Sequence, residues 1–173
     1  MTSDITNSVP YINIILIGES GSGKSSLVNT FATALENGNT IMSICSSIPA
    51  KSSIGSVTTQ LHVEPLYSGD TLLHVRLFDT PGISLLTCVR KQELEMMIDG
   101  KIKPGAKIKK AAKMMQTNEI LRENPTPADQ MHCIIFVVRA TSDMSVHPPT
   151  MGLEVMRSIR KQRKAEGHLS KFR

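Results

Sequence analysis

The sequence predicts an α/β fold in which a mostly parallel sheet lies between two helical layers, a three-layer sandwich, and carries one antiparallel edge strand. Three observations lead there. The run Tyr11 to Ile17 ends on three successive apolar residues, and Cys133 to Val138 is continuously apolar, so each reads as a strand covered on both faces, as in a parallel sheet. The first run passes directly into Gly18-Glu19-Ser20-Gly21-Ser22-Gly23-Lys24-Ser25 and then into a helix-patterned stretch. Between the two runs, apolar and polar residues alternate on either side of Ser68-Gly69-Asp70, the pattern of an antiparallel hairpin.

A length of 173 residues suits one domain with a real core, here residues 11–173 behind a polar, flexible N-terminus at 1–10. Aromatics make up 3% with no Trp, against ten Met, so an aliphatic, adaptable core is expected. No apolar run approaches the roughly 20 residues that cross a bilayer, and the N-terminus lacks the basic and apolar regions of a signal peptide, so a cytoplasmic location is expected. Cys45, Cys88 and Cys133 are far apart and without metal-ligand spacing, which reads as buried reduced thiols. The net charge of +5 is uneven: residues 157–173 hold seven Lys/Arg against Glu166 alone, leaving 13 basic and 14 acidic groups elsewhere. Basic character therefore belongs to the tail. With no reading motif and few aromatic platforms, specific nucleic-acid binding is not expected.

Residues 18–25 fit Gly-x-x-x-x-Gly-Lys-[Ser/Thr], the phosphate loop or Walker A motif, in the strand-before, helix-after context that the motif requires. Glycines let backbone N–H groups converge on phosphate oxygens, and the helix that follows offers its positive end to the same anion. The nucleotide-contacting set is Gly18, Glu19, Ser20, Gly21, Ser22, Gly23, Lys24, Ser25 and Ser26, with Lys24 neutralising β- and γ-phosphates and Ser25 ligating Mg²⁺. A flexible Gly/Ser linker has no need of Lys at this place. Leu27, Phe31 and Leu35 then recur every four residues, and Asn37-Gly38 supplies a helix stop.

Residues 39–59 form a Ser-rich stretch without period, a long loop of the functional kind. At its end Thr58, in preference to Thr59, is the candidate hydroxyl that ligates Mg²⁺ when a γ-phosphate is present. Leu61 and Val63 begin the hairpin, Pro65 marks an edge strand, and Leu73, Val75 and Leu77 alternate back into the core. That strand ends in Phe78-Asp79-Thr80-Pro81-Gly82. An ordinary turn would explain the last four residues in isolation. Beside a phosphate loop, Asp79 stands where Mg²⁺ needs a carboxylate, and Gly82 can bring its N–H to a γ-phosphate.

Residues 91–130 interleave Lys101, Lys103, Lys107, Lys109, Lys110 and Lys113 with Met and Ile, and Asn124-Pro125-Thr126-Pro127 closes the segment. It reads as an irregular or partly helical basic insertion with a solvated face, ahead of a basic surface for lipid or a partner. After the second apolar run, Arg139 to Asp143 form a polar strand tip near the nucleotide, and Leu153, Met156 and Ile159 mark a basic helix within 150–173.

The loop, Thr58 and Asp79 to Gly82, with a hairpin between the last two, resemble a phosphate-loop GTPase. The texture of Met97-Ile98-Asp99-Gly100, of Met131 to Val138 and of Met156 to Gly167 is similar to the interferon-induced protein 44 family. That resemblance implies a GTP-binding domain, with GTP/GDP and Mg²⁺ as ligands, in a cytosolic, interferon-inducible protein of antiviral or antiproliferative responses. Two departures qualify it. No Asn/Thr-Lys-x-Asp element for reading guanine precedes Arg173, so the fold is expected to be C-terminally incomplete, a shortened form of a longer protein. Ile83 stands where many small GTPases place a water-orienting Gln, so hydrolysis is expected to be slow or absent unless a homodimer, a protein partner or another residue supplies that function, and no catalytic residue is assigned. Two other functions compete: an ATP-dependent phosphate-loop kinase, which calls for a parallel second strand and an Arg-bearing lid, and a non-catalytic interaction protein with a vestigial nucleotide site.

Overall fold

Strand β1, Ile12–Gly18, lies inside the sheet and is fully buried over Ile15, Leu16 and Ile17, as its apolar run requires. The computed structural model describes residues 9–35, 60–82, 91–108 and 120–139, together with Arg157 and Lys161. Helix α1, Lys24–Leu35, follows the phosphate loop. Strands β2, His62–Ser68, and β3, Thr71–Asp79, form the hairpin; helix α2, Lys91–Ile98, comes next, and β4, Cys133–Val137, closes the described sheet.

The strand order is β2-β3-β1-β4. β1 is parallel to β3 and to β4, whereas β2 is antiparallel to β3, so the expected mostly parallel sheet with one antiparallel edge strand is what forms. Pro65 sits in that edge strand, beside a shift of register between Pro65 and Tyr67, where its missing N–H leaves no gap inside the sheet.

Alternation along the strands divides the core in two. On one face Leu16, Leu66 and Leu77 pack with Val28 and Ala32 of α1. On the other, Ile15, Ile17 and Phe78 pack with Leu94, Met97 and Ile98 of α2 and with Leu61, Ile102, Ala106 and Met131. The sheet thus has a covered surface on each side, which is the three-layer arrangement.

Three details differ from the sequence pattern. Helix α1 turns Lys24, Val28 and Ala32 inward, while Phe31 is exposed and Leu27 and Leu35 are half-buried. The small Ala32 lets the helix lie close to the sheet, so the buried stripe is centred one position beyond the 27/31/35 series. Within 91–108 the apolar residues supply half of one core, a contribution that the lysine-rich pattern did not display, while Lys101 and Lys107 flank them as exposed residues. Cys133 is exposed, contrary to the expectation of a buried thiol. It occupies the first position of β4, ahead of Ile135 and Val137, the residues of that face that pack. Cys45, Cys88, the whole 39–59 stretch, residues 109–119 and, apart from Arg157 and Lys161, the basic C-terminal segment lie outside the described residues. Arg157 and Lys161 are helical and exposed.

Candidate functional site

In register, Leu16 pairs with Asp79 and Gly18 with Val137. The C-terminal ends of β3, β1 and β4 therefore share one end of the sheet, and the loops that leave them meet there: Thr80–Gly82, Glu19–Gly23 and Arg139. This is the end at which open α/β sheets take ligands.

The phosphate loop begins at Gly18 because nothing larger fits, since a β-carbon there would stand 2.2 Å from the Val137 carbonyl oxygen. Gly21 and Gly23 have φ of 74° and 98°, the left-handed region that lets the chain coil back into the helix. Ser22 N–H donates to the Glu19 carbonyl at 3.2 Å, and Leu27 N–H to the Gly23 carbonyl at 2.8 Å, which joins loop and helix. Lys24 is buried, its Nζ donating to the carbonyls of Gly18 at 3.2 Å and Glu19 at 3.0 Å. The Ser22 hydroxyl is buried without a partner and lies against Gly18, whereas Ser26 is exposed on the first turn of α1.

Asp79 stands 1% exposed at the tip of β3. Its Oδ2 accepts from Ser25 Oγ at 2.5 Å, while Oδ1 is buried with no hydrogen-bond partner. Burial pushes the Asp79 carboxyl above its ordinary range, against the hydrogen bond from Ser25, the charges of Lys24 and His62 and the Thr80 backbone N–H. Burial likewise holds the Lys24 ammonium below its usual value, against the attraction of Asp79. Each buried charge thus lacks full compensation, and a bound cation at Asp79 with an anion at Lys24 would supply it. Among the described residues no cluster of three His, Cys, Asp or Glu could hold a metal. A carboxylate and a hydroxyl suit Mg²⁺, which keeps several waters and takes its other oxygens from phosphates.

Gly82 abuts the loop: a β-carbon on it would meet Ser20 Cα at 2.4 Å. Buried Thr80 fixes this turn, its hydroxyl donating to the Leu16 carbonyl at 2.7 Å. On the opposite flank Arg139 Nη2 donates to the Ser20 carbonyl at 2.5 Å.

Residues 13–166 match the model of the family described as 50S ribosome-binding GTPase. The chain belongs to that family. No curated protein matches it. It is a GTP-binding domain of the phosphate-loop GTPase class, and both the family and the antiparallel β2 speak against the kinase reading.

In this GTPase domain the structure brings Gly18 to Ser25, Asp79 and Gly82 together at one end of the sheet. Thr58 and Ile83 lie outside the described residues. Thr80 and Arg139 are site-building residues to which the motif reading assigned no individual role. Thr80 is an unspecified position inside Asp-x-x-Gly, and Arg139 carries only the signal of a strand-tip position.

Proposed function

We propose that this GTPase domain binds GTP and GDP as Mg²⁺ complexes through the loop 18–26, with Ser25, Asp79 and Thr58 as the metal's protein ligands and Gly82 as the γ-phosphate sensor. The observation that carries the reading is the Asp79 carboxylate, buried with one oxygen on Ser25 and the other without a partner, beside the buried Lys24. Such a pair is costly in an ordinary core and useful where a metal–phosphate complex sits. When bound, Mg²⁺ supplies charge neutralisation to the phosphate oxygens. The chain's own part is to orient backbone N–H groups toward the anion and to hold Lys24 and Asp79 on its two sides.

Hydrolysis is slow or absent in the isolated domain, because Ile83 has no group to orient water, and a homodimer or a protein partner raises it. The protein is cytoplasmic and serves an interferon-inducible immune response. That part rests on the likeness of residues 97–100, 131–138 and 156–167 to the interferon-induced protein 44 family. No helix among the described residues is long and apolar enough to cross a membrane.

Calorimetric titration of GTP and GDP with Mg²⁺ tests the binding. The wild type binds both and Lys24→Ala loses at least tenfold in affinity; absence of binding by the wild type at millimolar nucleotide would refute it. Transcript measurement with and without interferon tests the induction, and an unchanged level would remove that part alone.

A further inference from the structure

We propose that Arg139 is a positioning residue of the nucleotide site, a latch that fixes the tip of the phosphate loop and aims its N–H groups at the anion. The inference rests on the nucleotide-binding reading of that loop. Arg139 lies two residues beyond β4, and the pairing of Gly18 with Val137 sets this strand end beside the start of the loop. Its Nη2 donates to the Ser20 carbonyl at 2.5 Å. The guanidinium also lies on Gly21, where a β-carbon would stand 2.9 Å from Nη2, so a side chain at 21 would displace the latch.

All described peptide bonds are trans, and in a trans peptide the C=O and the next N–H point in opposite directions. A donor that holds the Ser20 carbonyl outward therefore turns the Gly21 N–H inward, into the hollow of the loop. Lys24, on the anion's own side of the loop, holds the two preceding carbonyls, those of Gly18 and Glu19. Three consecutive carbonyls are thus held by two cations. From the other flank Gly82 backs Ser20, so the tip is gripped between the ends of β3 and β4. Arg139 is exposed and contributes little to the core, so its hydrogen bond acts on the geometry of the loop and not on the stability of the fold.

The test compares wild type, Arg139→Ala and Arg139→Lys in two measurements on the full chain. Amide exchange without nucleotide reads the loop through Ser22, whose N–H is bonded to the Glu19 carbonyl: Arg139→Ala speeds exchange at Ser22 roughly tenfold, while Arg139→Lys, which still carries a donor, stays within about threefold of wild type. Titration with GDP and Mg²⁺ reads the consequence: Arg139→Ala binds roughly tenfold more weakly and Arg139→Lys recovers most of the loss, with melting temperatures unchanged throughout. Exchange and affinity within twofold of wild type in Arg139→Ala would overturn the proposal. Equal losses in the Ala and Lys variants would overturn it too, since a latch tolerates a second donor. If the wild type binds no nucleotide, the functional reading fails, while the exchange measurement still decides whether Arg139 holds the loop.

Discussion

At the scale of residues, the Ser25–Asp79 pair sets what the site can exchange. In the free protein Ser25 donates to Oδ2, and a metal arriving between the two would take both oxygens as ligands. Ser25→Ala removes a hydroxyl ligand and, with it, the hydrogen bond on Asp79 Oδ2. We expect GTP affinity with Mg²⁺ to fall by roughly tenfold or more while affinity in EDTA changes little, which paired titrations read directly. A second residue-scale prediction concerns His132. Its Nδ1 accepts from the Asn13 N–H at 3.0 Å, so the ring is neutral in this arrangement, and burial, with the Arg76 charge, holds its pKa below 6.5. Between the folded and the unfolded value the unfolded chain binds more protons, so this group's stabilisation is complete above 6.5 and is lost as pH falls through the folded value. Urea midpoints should therefore decline from pH 7 to pH 5, and His132→Gln, which keeps an acceptor that does not titrate, should flatten part of that slope.

At the scale of elements, the end of the sheet opposite the phosphate loop is tied by a polar network that begins in β1. Asn13 is fully buried, its amide donating to the carbonyls of Ala128 and Gln130 at 2.8 Å each and its oxygen accepting from Arg76 of β3. Arg76 is stacked over Tyr11 at 4.5 Å, and His132 N–H returns a bond to the Asn13 carbonyl. These contacts fasten the turn before β4 to both central strands. Asn13→Ala would leave two carbonyls and a guanidinium short of partners at a cost of about 2–3 kcal/mol, read as a lower urea midpoint. Helix α2 answers to packing: Met97 is fully buried, and Met97→Ala should cost about 2–5 kcal/mol through the cavity it leaves. The contrast between these elements explains what could be read beforehand. β1, the loop, the hairpin and β4 follow from local periodicity and turn chemistry, which a sequence displays. The burial of Met97, Ile98 and Ile102 was hidden by the lysines that follow and interleave with them, because Lys101 and Lys107 neighbour core positions along a segment that turns at residues 104–105, not along one helical face. The inward turn of Val28 and Ala32, in place of Phe31, depends on how closely α1 approaches the sheet. Likewise the bonds from Thr80 to Leu16 and from Arg139 to Ser20 exist only once strand register is set.

At the scale of the whole molecule, one sheet joins two ends with different tasks. The end at Gly18, Asp79 and Val137 carries uncompensated buried charge, close backbone approaches and glycines that no larger residue could replace. The opposite end carries the satisfied network around Asn13, and the two cores between them hold the strands in common register. Among the described residues, the buried charges of Lys24 and Asp79 thus lie where a ligand can relieve them, and the hydrogen bonds of Asn13 lie at the other end of the sheet. Such a division makes stability and binding separable, and ligand linkage measures the separation. At a hundredfold excess over Kd, a nucleotide that binds only the folded state adds about 2.7 kcal/mol, which for a domain of this size raises Tm by roughly 5–11 °C. Wild type with GDP and Mg²⁺ should show that rise. Asn13→Ala should start from a lower Tm yet rise by the same amount, because its defect lies at the far end of β1. Asp79→Asn should start near the wild-type Tm and lose the Mg²⁺-dependent part of the rise. Melting curves of the three proteins with and without ligand check all of this at once, and a ligand shift in Asn13→Ala well below that of wild type would show that the two ends are coupled through the sheet.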